Sequence, residues 1–321
     1  MGPFPRFRSL PVSDVRRCFD RVRRGGFAMT RGRFAPSPTG RLHFGSLVAA
    51  LGSWLFARST GGGWIVRMED LDREREVHGA AERILATLDA FGLVSDEDIV
   101  YQSRRSDRYA AALARLERDG HAYRCWCSRA ELEPCGGIHP PECVSQAGDR
   151  APAWRLRVGG HVLAFDDAIQ GPQRQDLARE VGDFVVWRAD GACAYQLAVV
   201  VDDAAQGIDQ VVRGADLLDS TPRQILLQRL LGLQQPAYAH LPLALGADGR
   251  KLSKHQAALP VDARDPLPAL RAALRFLGQP DPGCSNVRML LSAAAQAFDP
   301  RGIPLAAAAP MAFAAARNAT S

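Results

Sequence analysis

Between residues 30 and 68 two periodicities alternate around a proline/glycine loop, and this alternation constrains the fold more than any other feature of the chain. Residues 30–35 form a short candidate strand that runs into the loop Pro36–Gly40. Leu47, Leu51, Trp54 and Leu55 then recur at helical spacing, and Trp64–Met68 is an apolar run of strand length. Helical patterns over Ala81–Phe91 and Tyr109–Leu116 follow. Strand, loop, helix, strand and helix in that order predict a parallel sheet with helices packed outside it. At 321 residues and 47% hydrophobic, the chain can build two or three compact units.

Residues 121–171 break this order. They hold four of the seven cysteines, many Pro and Gly, and two strand-like pieces, Trp154–Val158 and His161–Phe165, so they read as an insertion. The alternation resumes with Phe184–Arg188, Tyr195–Val201, Gln210–Arg213 and a helix from about Pro222 to Leu231. Asp190-Gly191 between two apolar runs is a hairpin signal. Residues 256–321 are rich in Ala and Pro, with one helical pattern near Pro266–Leu277.

Charge narrows the partner classes. The whole net charge of +5 is carried by residues 1–28, through seven arginines set against Asp14 and Asp20. The body is neutral, so RNA contact there must come from local patches rather than bulk attraction. Residues 1–28 read as a disordered basic tail, or as a mis-assigned start ahead of Met29. No apolar run approaches the roughly 18–20 residues of a membrane span, which predicts no membrane partner. Seven cysteines, four of them within Cys125–Cys143, suit a metal cluster in a reducing cytoplasm better than a disulfide framework. The chain contains 38 arginines and only two lysines, both in the window Lys251-Leu-Ser-Lys254. A compact ammonium on a flexible stem does what a planar guanidinium cannot.

Two stretches carry phosphate chemistry. The first, Arg33-Phe-Ala-Pro-Ser-Pro-Thr-Gly-Arg-Leu-His43-Phe-Gly45-Ser46, links a strand to a helix, whose first N–H groups attract phosphate. Pro36 and Pro38 stiffen the approach, Gly45 lets a flat base pack on the backbone, and His43 and Ser46 can donate to phosphate oxygens. The second is the lysine pair, whose charge suits a departing pyrophosphate. Together they resemble the two ATP motifs of class I aminoacyl-tRNA synthetases, HIGH and KMSKS. Three further stretches, RMEDLD (67–72), YQLAVVVDD (195–203) and VVRGADLLDSTPRQ (211–224), are similar to glutamyl-tRNA synthetases. The resemblance spans roughly residues 31–260.

The resemblance implies an α/β fold: a Rossmann-type doubly wound parallel sheet with a zinc-containing α+β insertion and a short helical C-terminal region. Its implied divisions are 29–120 and 181–246 for the two halves of the catalytic domain, 121–180 for the insertion, and 247–321 for the KLSK loop and C-terminal region. It implies catalytic roles for His43, Ser46, Lys251 and Lys254, and an ATP site built from Pro36, His43, Gly45, Ser46 and Lys254. It places L-glutamate against Arg33, Ala35, Ser37, Glu69, Tyr195 and Arg213, with arginines for carboxylates and Glu69 for the ammonium. Mg-ATP is then a substrate, and the acceptor is a tRNA.

Cys125, Cys127, Cys135, His139 and Cys143 offer more donors than the four that tetrahedral zinc takes. Cys125, Cys127 and Cys143 are common to both possible sets, and the fourth ligand is His139 or Cys135. Where the family carries Tyr four residues before the last cysteine this chain has His139, and the family spacing favours it. Four protein ligands leave no open position, so a single structural zinc per chain is expected.

Two features resemble the shortened, glutamyl-queuosine branch of the family. The chain runs only about 65 residues past Lys254, and Ser46 stands where full-length enzymes carry a second His. In that branch glutamate is activated without tRNA and passed to the queuosine base in the anticodon of tRNA(Asp). A monomer that charges queuosine-containing tRNA(Asp) is therefore expected. The alternatives are a truncated enzyme acting on the 3′ end of tRNA(Glu) and a non-catalytic, zinc-stabilised RNA-binding module.

Overall fold

The structure, a computed structural model, describes residues 30–140, 142–143, 145, 148–245, 261–305 and 308–310. The basic segment 1–28 and the Lys251–Lys254 window lie outside the described residues.

Strand β1 (Arg31–Phe34) leads through the proline loop into helix α1 (Phe44–Arg58), and the chain returns in β2 (Gly63–Met68), parallel to β1 with Arg33 opposite Ile65. Helix α2 (Ala80–Ala90) carries it to the short β3 (Val100–Tyr101), and α3 (Ser106–Arg118) follows. Then come β4 (Ala122–Cys125), β5 (Ala153–Leu156), the hairpin of β6 (Val162–Asp167) and β7 (Gly171–Asp176), and β8 (Phe184–Trp187). Helix α4 (Tyr195–Ala205), β9 (Gln210–Gly214), α5 (Thr221–Leu230) and β10 (Ala237–Leu241) complete the sheet region. Two further helices, α6 (Leu267–Phe276) and α7 (Val287–Ala297), pack beyond it.

The main sheet has the order β3-β2-β1-β9-β10-β6-β7, in which only the β6–β7 pair is antiparallel. The chain winds outward from β1 to β3, then returns to the other edge of β1 with β9 and β10. The gap between β1 and β9 is thus the switch point of a doubly wound sheet, where ligands sit beyond the carboxyl ends of the strands.

Successive strand residues face opposite sides, and the two faces differ in chemistry. Trp64, Val66, Met68, Val212, Ala239 and Leu241 pack into one apolar cluster with α1, α2, α6 and α7. Ile65, Val211 and Tyr238 pack into another, with α3, α4 and α5. Burial of each large side chain stabilises the fold by about 1.5–3 kcal/mol. The same parity puts Arg33, Arg67, Arg213 and His240 on the second face, at the carboxyl ends of their strands, and all four are buried.

The structure departs from the sequence reading in three places. The stretch His161–Phe165, expected within a separate insertion, enters β6 at Val162 and extends the main sheet, with Asp167 paired to Tyr238; Leu163 and Phe165 bury in the second cluster. Conversely, Phe184–Trp187 joins β4 and β5 in a three-stranded antiparallel sheet rather than the catalytic sheet. The turn at Asp190-Gly191 forms, with Arg188 N–H donating to Ala192 O at 2.8 Å, but the apolar run after it is the helix α4. A strand would send Asp202 and Asp203 to opposite faces, whereas the helix buries both against the cationic face of the sheet.

Asp203 accepts from Arg33 Nε at 3.0 Å and Nη2 at 3.3 Å, and from Arg67 Nη1 at 2.8 Å. Asp202 accepts from Tyr109 Oη at 2.6 Å, Gln102 Nε2 at 2.9 Å and Arg105 Nε at 2.6 Å, tying α3 to α4. Burial alone would raise the Asp203 carboxyl, but Arg33 and Arg67 hold it below the ordinary range. Its folded pKa therefore lies below the unfolded value of about 3.9, so its stabilisation is complete above about pH 4 and fades as pH falls through the folded pKa. Removing one partner of a buried ion pair leaves uncompensated charge. Asp203→Asn should cost about 3 kcal/mol at neutral pH in urea unfolding. The gap to the wild-type protein should narrow below about pH 4.

Candidate active site and metal site

The cleft at the β1/β9 switch point has a volume of about 560 Å³. Its walls include Arg33, Ala35, Pro36, Ser37, His43, Gly45, Ser46, Glu69, Tyr195 and Arg213. The structure thus brings together every candidate glutamate- and ATP-site residue except Lys254, which with Lys251 lies outside the described residues.

The phosphate end begins at α1. His43 caps this fifteen-residue helix: Ser46 N–H donates to its Nδ1 at 3.3 Å, and Ser46 Oγ lies 3.1 Å from its Nε2. The ring therefore folds back over the first turn. A Cβ on Gly45 would stand 3.2 Å from His43 Cε1 and 3.3 Å from Nδ1, so any larger residue there would press on the ring. The His-x-Gly spacing thus gives the ring room over the first turn. The helix start, with its partial positive charge, faces the cleft.

The other end is charged. Glu69 follows β2 and is tied to the proline loop by its N–H donating to Pro36 O at 2.9 Å. Arg67 Nη2 donates to Glu69 Oε1 at 3.2 Å. Burial pushes the Glu69 carboxyl up while Arg67 and Arg33 draw it down; an incoming ammonium would add to the downward pull. Arg213 is the counterpart of opposite sign. Its Nε donates to His240 Nε2 at 3.0 Å, and its Nη2 donates to Thr221 Oγ1 at 2.8 Å and Leu217 O at 3.3 Å. Its Nη1 reaches only Tyr195 Oη, at 3.5 Å. Among the described residues no carboxylate forms an ion pair with this buried guanidinium, whereas Arg33 and Arg67 are both neutralised. A buried cation whose contacts are all neutral is poised for an anion from outside. The cleft can therefore take a ligand with a carboxylate at Arg213 and an ammonium at Glu69.

Arg67 and Asp203 stand inside stretches that the sequence reading quoted, but their partnership needs the fold. His240 and Asp167, which contact each other beside Arg213, lie in strands without a motif; only a buried polar residue in an apolar run would have flagged His240.

The insertion holds a second constellation. The donor atoms of Cys125, Cys127, His139 and Cys143 all lie within 4.8 Å of one another. Cys135 is exposed and is not among them. His139 Nδ1 lies 2.6 Å from Pro140 O, so it carries the proton, and Nε2 turns to Cys125 Sγ at 3.2 Å. Burial, then Arg155, lowers the His139 pKa, which keeps the ring neutral and able to ligate. Burial and the neighbouring thiols push Cys143 up to about 12, a crowding that a cation would relieve. A Cβ on Gly182 would fall 2.5 Å from His139 O and 2.8 Å from His139 N, so glycine there admits the ligand strand. Three thiols and an imidazole fit tetrahedral zinc, with no open position. Metal analysis should find a single ion per chain, retained in Cys135→Ser and lost or weakened in His139→Ala; the reverse pattern would assign the site to four cysteines.

The chain resembles known proteins along most of its length. The family model for the catalytic domain of class I tRNA synthetases (E and Q) matches residues 29–138 and 145–286. A glutamyl-Q tRNA(Asp) synthetase of Xanthomonas campestris pv. campestris (strain 8004) is 62% identical over 278 residues, covering 85% of this chain and 93% of the relative. The protein of that name from Burkholderia mallei is 54% identical over 286 residues, covering 84% of this chain and 96% of the relative. Among solved structures, a glutamate tRNA ligase from Elizabethkingia meningosepticum, in complex with its amino acid, superposes with a TM-score of 0.75 at 26% identity, covering 88% of this chain and 67% of that one. The chain belongs to the class I tRNA synthetase family of glutamate and glutamine enzymes, and the cleft at its switch point lies within the family's catalytic domain.

Proposed function

We propose that this chain activates L-glutamate with ATP, without tRNA, and transfers the glutamyl group to the queuosine base in the anticodon of tRNA(Asp). The observation that carries the amino-acid half is the buried Arg213, without a carboxylate partner among the described residues, in one cleft with Glu69. The acceptor half is supported by the names of relatives at 54–62% identity. The chain matches nearly their full length.

In the first step the α-carboxylate of glutamate attacks the α-phosphorus of Mg-ATP, and pyrophosphate leaves to give glutamyl-adenylate. In the second an acceptor hydroxyl attacks the adenylate carbonyl, and AMP leaves. Little covalent chemistry falls to the protein, which positions reactants and neutralises charge. Arg213 takes one carboxylate and Arg33, while still held by Asp203, takes the other; Glu69 takes the ammonium, and Ser37 and Tyr195 add hydrogen bonds. Ala35 and Pro36 line the site at the end of β1. His43, Gly45 and Ser46 receive the nucleotide at the α1 terminus. From the sequence, Lys251 and Lys254 serve the departing pyrophosphate. The metal assigned to Cys125, Cys127, His139 and Cys143 is zinc, in a structural role.

The purified protein should catalyse ATP–pyrophosphate exchange with glutamate in the absence of tRNA. It should then label tRNA(Asp) containing queuosine, with or without its 3′-terminal adenosine, and leave queuosine-free tRNA(Asp) unlabelled. Labelling of tRNA(Glu) that requires the terminal adenosine would assign it to 3′-end charging. Absence of exchange would remove the enzymatic reading.

A further inference from the structure

Arg213 is held by a chain of contacts that begins outside the cleft. Asp167, at the end of β6, accepts from the backbone N–H groups of Ile169 and Gln170 at 3.0 and 2.9 Å, and from His240 N–H at 3.0 Å, all at Oδ1. Its other oxygen, Oδ2, lies 2.5 Å from His240 Nδ1. The side chains of Asp167 and His240 are both fully buried. An ionised carboxylate can only accept, so Nδ1 carries the proton and Nε2 carries the lone pair. That lone pair meets Arg213 Nε at 3.0 Å, with Thr221 Oγ1 also 3.2 Å from Nε2. Thr221 Oγ1 and Leu217 O take Nη2, leaving Nη1 as the least committed nitrogen. Burial, against the pull of Asp167, lowers the His240 pKa, in keeping with a neutral ring.

We propose that Asp167 and His240 are positioning residues for substrate binding: the carboxylate fixes the imidazole tautomer that accepts from Arg213 Nε and so aims the guanidinium at the substrate carboxylate. The inference rests on the reading of Arg213 as the carboxylate clamp. Register supports it. Parallel pairing sets His240 opposite Arg213 and Tyr238 opposite Asp167, so adjacent strands deliver the three side chains in a row. The β6–β7 hairpin, which the sequence reading placed in a separate insertion, therefore supplies the far end of the row. With the other tautomer, Nε2–H could donate to Thr221 Oγ1, 3.2 Å away, but Arg213 Nε would lose its acceptor.

Asp167→Asn separates this role from a structural one. The amide keeps Oδ1 for the three backbone donors, but its NH2 would donate to Nδ1 and drive the ring proton to Nε2. In ATP–pyrophosphate exchange this variant should raise the glutamate KM about tenfold or more, the usual loss for a hydrogen bond to a charged group, with the ATP KM unchanged. His240→Leu should do the same, and His240→Gln, whose amide oxygen can accept from Arg213, should restore most of the affinity. In an Arg213→Ala background Asp167→Asn should add nothing further. An unchanged glutamate KM in Asp167→Asn, or equal rises in both KM values, would overturn the proposal. If Arg213→Ala itself leaves the glutamate KM unchanged, the clamp reading fails instead. Should His240→Leu not fold, the Asp167→Asn and His240→Gln pair still decides.

Discussion

The bridge that Asp203 makes between Arg33 and Arg67 is the interaction on which the site depends. Three strands of a parallel sheet end with arginines on the same buried face, and such a face cannot close without anions. Helix α4 supplies them through Asp202 and Asp203, one engaging the sheet arginines and the other mainly α3. Compensation stops at Arg213, whose partners are His240, Thr221, a carbonyl and a tyrosine hydroxyl. Among the described residues the face is neutralised at two arginines and left open at the third, in one cleft with Glu69. Fold stability and ligand preference thus come from one charge distribution.

The two ends of the cleft use different physics. At α1 the protein offers backbone N–H groups and a partial charge, with His43 held over the first turn by Ser46. At the strand ends it offers formal charges desolvated by packing. A substrate combining phosphates with a zwitterionic amino acid meets each end in the form it needs. The Cys/His cluster, the candidate metal site, stands apart from this chemistry. Its ligands come from β4, the segment after it and the loop bearing His139, and Gly182 lets that loop approach the entry to β8.

Much of this was legible in the sequence, because the signals were local. The β1–α1–β2 unit shows as a switch of period around Pro36–Gly40, and the cleft residues stand in contiguous motifs. What was hidden was non-local. The apolar run from Tyr195 suits a strand by composition, whereas it forms a helix that buries Asp202 and Asp203 together. Nothing near Val162–Asp167 reveals that it pairs with β10, 70 residues later, so the Asp167–His240–Arg213 row was invisible. Cys135 and His139 were rival ligands on spacing, and the fold groups His139, bridged to Gly182, with the other three donors.

A crystal structure of the protein with L-glutamate and a non-reactive ATP analogue tests the central claim most directly. The account predicts one glutamate carboxylate within about 3 Å of Arg213 Nη1, the ammonium on Glu69, and Arg33 and Arg67 still on Asp203. Glutamate bound with its carboxylates away from Arg213, or Arg33 and Arg67 released from Asp203 to hold them, would contradict it.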